Sequence, residues 1–154
     1  MTNNQTIRAR DSFNGTTYID CAPTDIALVW EKELGGGRGA ATMIRTFRGQ
    51  QFQADGSFDQ TYEALDQSGE TFLDAQAILK DRNSEMYLFN IRAAEIVSPP
   101  TDDAPEDFHV TIKGTTDNLR FRPLNTDGVP LTLQLFEQIQ AEIMQEYAPL
   151  SPNA

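Results

Sequence analysis

The stretch FHVTIKGTTDNLRFR, residues 108–122, contains two short segments in which apolar and polar residues alternate. Strict alternation is typical of a β-strand that buries one face. If GTTD forms the turn, Val110 lies opposite Phe121 and Ile112 lies opposite Leu119, so that both strands bury the same side. The stretch therefore predicts an antiparallel hairpin.

Segments with the same alternation precede this hairpin. They span residues 26–34, 40–48, 58–65 and 85–97. Residues 71–80 are ambiguous, because strong helix formers are combined with an apolar residue at every second position. A turn at 81–84 would place Leu79 opposite Met86 and Lys80 opposite Glu85, which favours a hairpin over a helix.

The last segment has a helical pattern instead. An apolar stripe with a spacing of four is formed by Leu135, Ile139, Ile143 and Tyr147. A stripe of this width is typical of an amphipathic helix that packs on a core. Pro130 fits the first turn of this helix, and Pro149 ends it.

Consecutive strands followed by one helix define the expected fold class. The short turns favour a mainly β (α+β) protein, an antiparallel β-meander curled into a barrel or sandwich, with the C-terminal amphipathic α-helix packed on it. We find no internal repeat in the sequence. We expect a single domain over residues 1–147, followed by a flexible tail at 148–154.

Composition narrows the functional classes. The net charge of −11 over 154 residues argues against a nucleic-acid-binding protein and against binding to acidic membrane surfaces. No apolar run approaches the roughly 18 residues of a membrane-spanning helix, and the first residues lack the apolar core of a secretory signal. The single cysteine, Cys21, cannot form an internal disulfide bond. We therefore expect a soluble, cytoplasmic protein.

The glycine-rich stretch ELGGGRGAATM, residues 33–43, matches a phosphate-binding loop in its sequence pattern but not in its expected structural context. It satisfies the dinucleotide pattern G-x-G-x-x-G/A but lacks the Lys-Ser/Thr pair of a P-loop. The residues that follow favour a strand and leave no room for a crossover helix. We therefore expect a mobile hairpin tip that carries Arg38. Its glycines are Gly35, Gly36, Gly37 and Gly39.

Two groups of basic residues are candidates for binding an anion. Arg38, Arg45 and Arg48 lie in the acid-free interval 34–54. The second group lies on the polar face of the predicted hairpin and consists of His109, Lys113, Arg120 and Arg122. Like charges on adjacent strands need a counter-ion, which is either an external carboxylate or phosphate or an acid of the same chain. The internal alternative is favoured because 23 acidic residues are available for 12 basic ones.

No catalytic pattern stands out in the sequence. One histidine and one cysteine exclude the usual zinc clusters, and no nucleophile signature is present, so we expect neither a metal nor a cofactor. Our first hypothesis is a non-catalytic binding or assembly protein that recognises a protein partner or itself. The alternative is a barrel that binds a small anionic molecule, in which Trp30, Met43 and Phe47 either line the pocket or pack in the core. An enzyme without a recognisable motif is the third hypothesis.

Overall fold

The computed structural model describes residues 6–11, 17–33, 37, 39–78, 87–98, 108–113 and 120–147. These residues form ten β-strands, two α-helices and two short 3-10 helices. The strands are β1 (Ile7–Asp11), β2 (Tyr18–Cys21), β3 (Ile26–Glu33), β4 (Ala40–Thr46), β5 (Gln51–Ala54), β6 (Phe72–Ile78), β7 (Tyr87–Asn90), β8 (Ala94–Ser98), β9 (His109–Ile112) and β10 (Arg120–Leu124). The α-helices are α1 (Phe58–Gln67) and α2 (Leu133–Tyr147), and the 3-10 helices are Pro23–Asp25 and Ile91–Ala93.

The predicted fold class is confirmed: the protein is mainly antiparallel β-sheet with a C-terminal helix. In the hairpin of β9 and β10, Phe121 lies opposite Val110, as its alternation predicts. The helix begins one turn later than expected, because the Thr132 hydroxyl accepts the Leu135 N–H (3.3 Å) and caps it. Pro130 lies before the helix, in an isolated bridge to Leu124. The tail at 148–154 lies outside the described residues.

The prediction of a strand at 58–65 is wrong, since this segment forms most of α1. Ser57 and Gln60 form a capping box: the Ser57 hydroxyl accepts the Gln60 N–H (3.2 Å), and the Gln60 side chain accepts the Ser57 N–H (2.9 Å). Such a reciprocal pair fixes the start of a helix. Gly56 makes room for it, since a Cβ there would lie 2.7 Å from Gln60 Oε1.

The ambiguous segment 71–80 contains a strand, and the favoured hairpin pairing of β6 with β7 is present. The register differs, because Ala75 lies opposite Tyr87 instead of Asn90. The turn and the predicted contact of Leu79 lie outside the described residues. The segment 85–97 is not one strand: the Asn90 side chain accepts the Arg92 N–H (3.0 Å) and starts a 3-10 helix between β7 and β8.

The sheet consists of two halves with the same arrangement of strands. The strand order is β2-β1-β5-β4-β3-β7-β6-β10-β9-β8, so that β1 to β5 and α1 are repeated as β6 to β10 and α2. A 3-10 helix joins the second strand to the third in each half. It follows Ala22 (φ −75°, ψ 134°) in one half and Asn90 (φ −74°, ψ 125°) in the other. Residues at equivalent positions of the two halves differ in type. Cys21, for example, is equivalent to Phe89 by the strand registers. The repeat is therefore not visible in the sequence.

The central strands β3 and β7 are buried on both faces. Leu28 lies opposite Phe89, and the next pair along the strands is Val29 and Leu88. Leu28 and Phe89 belong to one hydrophobic core, whereas Val29 and Leu88 belong to the other. Because successive side chains of a strand point to opposite faces, the two cores lie on opposite faces of the sheet.

The two helices accordingly cover opposite faces. α1 places Phe58 and Leu65 in the core that contains Val29, and α2 places Phe136 in the core that contains Leu28. The first half of the sheet is therefore covered by its helix on one face, and the second half is covered on the other. Among the described residues, one face of each half carries no helix.

The ends of the sheet are β2 and β8, which do not pair in the described part of the chain. The sheet is open or curled and is not closed. To close the sheet into a ring, β8 would have to pair with β2 in the way that β3 pairs with β7. In the repeat, β8 corresponds to β3 and β2 corresponds to β7. The strand registers place exposed Glu95 of β8 at the position of buried Leu28, and exposed Asp20 of β2 at the position of buried Leu88. Acidic side chains at both edges oppose closure and edge-to-edge association.

A buried polar cluster fastens the two halves to each other. Glu70 Oε1 accepts hydrogen bonds from Arg92 Nη2 (2.7 Å) and Asn90 Nδ2 (3.1 Å). The same Arg92 nitrogen donates to the Thr24 carbonyl (3.0 Å), and Asn90 Nδ2 also donates to the Ile26 carbonyl (3.2 Å). The cluster thus joins the segment that follows α1 to both 3-10 helices.

Removing Glu70 should destabilise the fold strongly. Its side chain is 2% exposed, against 19% for Arg92, and Glu70→Ala would leave the guanidinium without its carboxylate. We expect the free energy of unfolding to fall by about 3 kcal/mol, as for other broken buried ion pairs. Urea denaturation measures this, with the exposed Glu63→Ala on α1 as the control. Equal effects of the two substitutions would contradict the role of the cluster.

Candidate anion-binding face

The helix-free face of the first half carries a row of arginines and aromatic residues, which we call the arginine face. It is formed by Arg8, Arg10, Tyr18, Asp20, Trp30, Arg45, Gln51 and Gln53. Alternation explains their position: Ile7 and Ala9 of β1 point into the core beneath α1, so the side chains between them point to the other face. Register continues the face across β2, β5, β4 and β3.

Tyr18 lies against two guanidinium groups. The Cζ atom of Arg8 is 4.3 Å from the centre of the Tyr18 ring, and that of Arg10 is 5.9 Å from it. Both distances fall within the range of cation–π attraction. The ring is 44% exposed, so it holds the two cations side by side at the protein surface.

Asp20 lies opposite Arg8 on β2, but neither arginine of β1 forms an ion pair with a described residue. The ion pair in this part of the chain joins Arg92 and Glu70. Arg10 is half-buried, and its Nε atom is buried without a hydrogen-bond partner in this part of the chain. An unpaired buried donor costs free energy. A carboxylate or phosphate that reaches Arg10 would remove this cost and neutralise the charge.

Arg45 extends the face toward the centre of the sheet. It donates a hydrogen bond to Gln51 Oε1 (2.6 Å), and its guanidinium lies 5.8 Å from the centre of the Trp30 ring. Trp30 pairs with Met43 on the adjacent strand, which brings together two of the residues expected to line a pocket. Arg45 is thus the sequence-predicted anion-binding residue that lies on this face.

The glycine-rich stretch lies between β3 and β4, which pair antiparallel up to Glu33 and Ala40. This pairing confirms the predicted hairpin and excludes the parallel crossover of a dinucleotide fold. Gly37 and Gly39 have φ angles of +72° and +84°, which side chains rarely adopt. The remaining members, Arg38, Gly35 and Gly36, lie outside the described residues, and mobility of the tip stays a prediction.

The second predicted group lies on the opposite side of the sheet from Arg45. His109 and Arg122 are half-buried, and Arg120 and Lys113 are exposed. They share the helix-free face of the second half, because Val110 and Phe121 point into the core beneath α2. The structure therefore separates the sequence-predicted cations into two surfaces. Whether the second group meets an external anion or internal acids stays a prediction.

Sequence reasoning missed Arg8, Arg10 and Tyr18. The signal was present in IRAR, residues 7–10, where apolar and basic residues alternate. Four residues are a short window in which to detect a strand, and this segment contains no hydrophobic run. β1 was therefore not predicted. The turn-rich composition around residues 49–57 concealed β5 in the same way.

None of the three comparisons, with protein-family models, with curated proteins and with solved structures, finds a match to this chain. In the described ranges, no helix has the length and apolarity needed to cross a membrane. The same ranges contain no group of three or more His, Cys, Asp or Glu side chains that would hold a metal ion.

Asp74 shares the helix-free face of the second half, and burial raises its pKa. A pKa raised on folding means that the native state holds this proton more tightly than the unfolded state. The carboxylate therefore costs stability at pH values above its ordinary pKa of 3.8. Asp74→Asn should increase the free energy of unfolding at about pH 7, and the gain should disappear near pH 3.

Urea unfolding at the two pH values measures this effect. Asp127→Asn, at an exposed turn position, serves as the control and should change stability little at either pH. A gain from Asp74→Asn that persists at about pH 3 would show that packing, not charge, is responsible.

Proposed function

We propose that the protein is a non-catalytic binding protein that holds an acidic segment of a partner protein on the arginine face. The observation that carries the proposal is the group of Arg8, Arg10 and Tyr18. Two guanidinium groups lie side by side on an aromatic ring and form no ion pair with a described residue. This arrangement stands out because the chain as a whole has a net charge of −11.

The spacing of the arginines favours an extended peptide. Arg8 and Arg10 are two residues apart on one strand, which corresponds to roughly 7 Å. Arg45 lies two strands away, roughly 10 Å across the sheet and two residues, or roughly 7 Å, further along it than Arg10. A peptide in extended conformation carries its alternate side chains at the same roughly 7 Å interval. Carboxylates at alternate positions therefore match the face, whereas one small anion does not span it.

A small anionic ligand is the alternative, favoured by the buried Nε atom of Arg10. A compact phosphate or carboxylate bound there would satisfy this one donor without engaging Arg45. Self-association through the sheet edges is disfavoured by Asp20 and Glu95 at the two ends. A second copy of the chain would instead have to place its own acidic residues on the arginine face.

Binding of an acidic peptide should depend on Arg8 and Arg10. The probe is a ten-residue peptide with glutamate at alternate positions, compared with its glutamine counterpart. Trp30 is the only tryptophan and lies on the face, so its fluorescence reports binding. We expect Arg8→Ala/Arg10→Ala to weaken binding of the acidic peptide by about tenfold or more, since each charge-assisted hydrogen bond contributes about 1.5–3 kcal/mol. Added salt should weaken binding by the wild type.

The matched control removes two cations from the other surface, as Lys113→Ala/Arg120→Ala. It changes the net charge equally and should retain most of the affinity. If the control loses as much affinity as Arg8→Ala/Arg10→Ala, or if the glutamine peptide binds equally well, the proposal is wrong. Saturable binding of phosphate or citrate, without binding of the peptide, would support the small-ligand alternative.

A further inference from the structure

A cavity of about 270 Å³ opens on the face of the first half that α1 partly covers. It is lined by Ile19, Asp20, Cys21, Asp25, Thr46, Phe47, Arg48, Gln50 and Phe52. Ile19 and Phe52 lie on the core side of the sheet, where they pair with Ala9 and Ile44. Asp20 also lines the cavity, and it lies opposite Arg8 of the arginine face. The cavity and the arginine face therefore adjoin each other at Asp20, on the edge strand β2.

Apolar side chains line the interior of the cavity, and one of them, Phe47, also packs against the core that contains Leu28 and contacts the Arg92 guanidinium. Ile19, Phe47 and Phe52 are half-buried, and Cys21 is 5% exposed. Burial, followed by the charges of Asp25 and Asp20, raises the pKa of the Cys21 thiol to about 11. The thiol is consequently neutral at physiological pH and contributes an apolar surface.

The rim carries charges of both signs on a well-defined turn. Asp25 ends the first 3-10 helix, and its carbonyl accepts the Phe47 N–H (3.0 Å). The Thr46 N–H donates to the Gln50 carbonyl (2.9 Å), and the Thr46 hydroxyl accepts the Gln50 N–H (3.1 Å). These bonds close the turn that carries Arg48. The rim thus presents the Asp25 carboxylate and the Arg48 guanidinium from two segments that are bonded to each other.

In the second half of the sheet, α2 occupies the corresponding space. By the strand registers, Cys21 is equivalent to Phe89, and Phe52 is equivalent to Phe121. Phe89 and Phe121 pack in one core with Phe136 of α2.

α2 is also bonded directly to the second 3-10 helix. Gln140 Nε2 donates to the carbonyls of Ile91 and Ala94, each at 3.0 Å. α1 has 10 residues against 15 in α2, and its last buried residue, Leu65, lies beside Leu88 at the centre of the sheet. The first half therefore keeps open a space that its repeat fills with protein.

We propose that this cavity binds an apolar α-amino acid or a zwitterion of similar size. The volume lies just below the roughly 300 Å³ at which pockets for drug-sized ligands begin, which suits a molecule of this size. An apolar side chain fits the interior lined by Ile19, Phe47 and Phe52. The ammonium group is complementary to Asp25, and the carboxylate is complementary to Arg48.

Calorimetric titration with L-phenylalanine and L-leucine tests the site, with phenethylamine and 3-phenylpropionate as ligands that lack one of the two charges. We expect the amino acids to bind, and each single-charge analogue to bind at least tenfold more weakly. Asp25→Asn and Arg48→Gln should each reduce affinity for the amino acid about tenfold. Asp127→Asn and Lys113→Gln, at exposed positions elsewhere, are the matched controls and should leave the affinity unchanged.

Cys21 reports the position of the ligand, because it is the only cysteine of the chain and lines the cavity. A bound amino acid should slow alkylation of Cys21 by a small maleimide severalfold. Cys21→Phe introduces the residue type that Phe89 supplies in the repeat. It should abolish amino-acid binding while the protein remains folded by circular dichroism.

Absence of binding to the wild type at millimolar ligand would overturn the proposal. So would equal binding of 3-phenylpropionate, unchanged affinity in the two rim variants, or binding that leaves Cys21 labelling unaffected. These outcomes are distinguishable from those for the arginine face, since the two tests use different ligands and different variants.

Discussion

The pairing of β3 with β7 is the contact on which the rest of the structure depends. Both strands are buried on both faces, with Leu28 and Phe89 in one core and Val29 and Leu88 in the other. Each half then requires only one helix to cover its own core, and the helices lie on opposite faces. The helix-free face of the first half carries the arginines, and the face beneath α1 carries the cavity.

Because the two halves repeat one arrangement of strands, the differences between them can be compared at equivalent positions. At positions that meet in the centre, the units present Leu28 and Leu88. At the corresponding positions of the outer edges they present Glu95 and Asp20. The shared arrangement is thus adapted residue by residue: apolar contacts join the units, acids keep the sheet open, and the shorter helix leaves a cavity. The Glu70 cluster adds directional hydrogen bonds at the junction, where apolar packing alone does not specify geometry.

Local pattern predicted the elements in which one signal dominates. The alternation of β9 and β10 and the stripe of α2 lead directly to their structures. The acid-free interval around Arg45 makes it a candidate for anion binding, and that role stays a prediction. The strand predicted at 58–65 is wrong because the capping box of Ser57 and Gln60 starts a helix there. The repeat, the central pair and the arginine face depend on which strands meet across the sheet. That information lies in contacts between distant residues, and periodicity within a segment does not contain it.

The most direct test of the account is the NMR titration of arginine Nε–Hε signals with the alternating glutamate peptide. The arginine face predicts that the signals of Arg8, Arg10 and Arg45 shift together and saturate at one peptide per protein, while those of Arg120 and Arg122 remain in place. Shifts confined to Arg120 and Arg122, or no saturable shift of any arginine signal, would contradict the assignment of the arginine face as the binding surface.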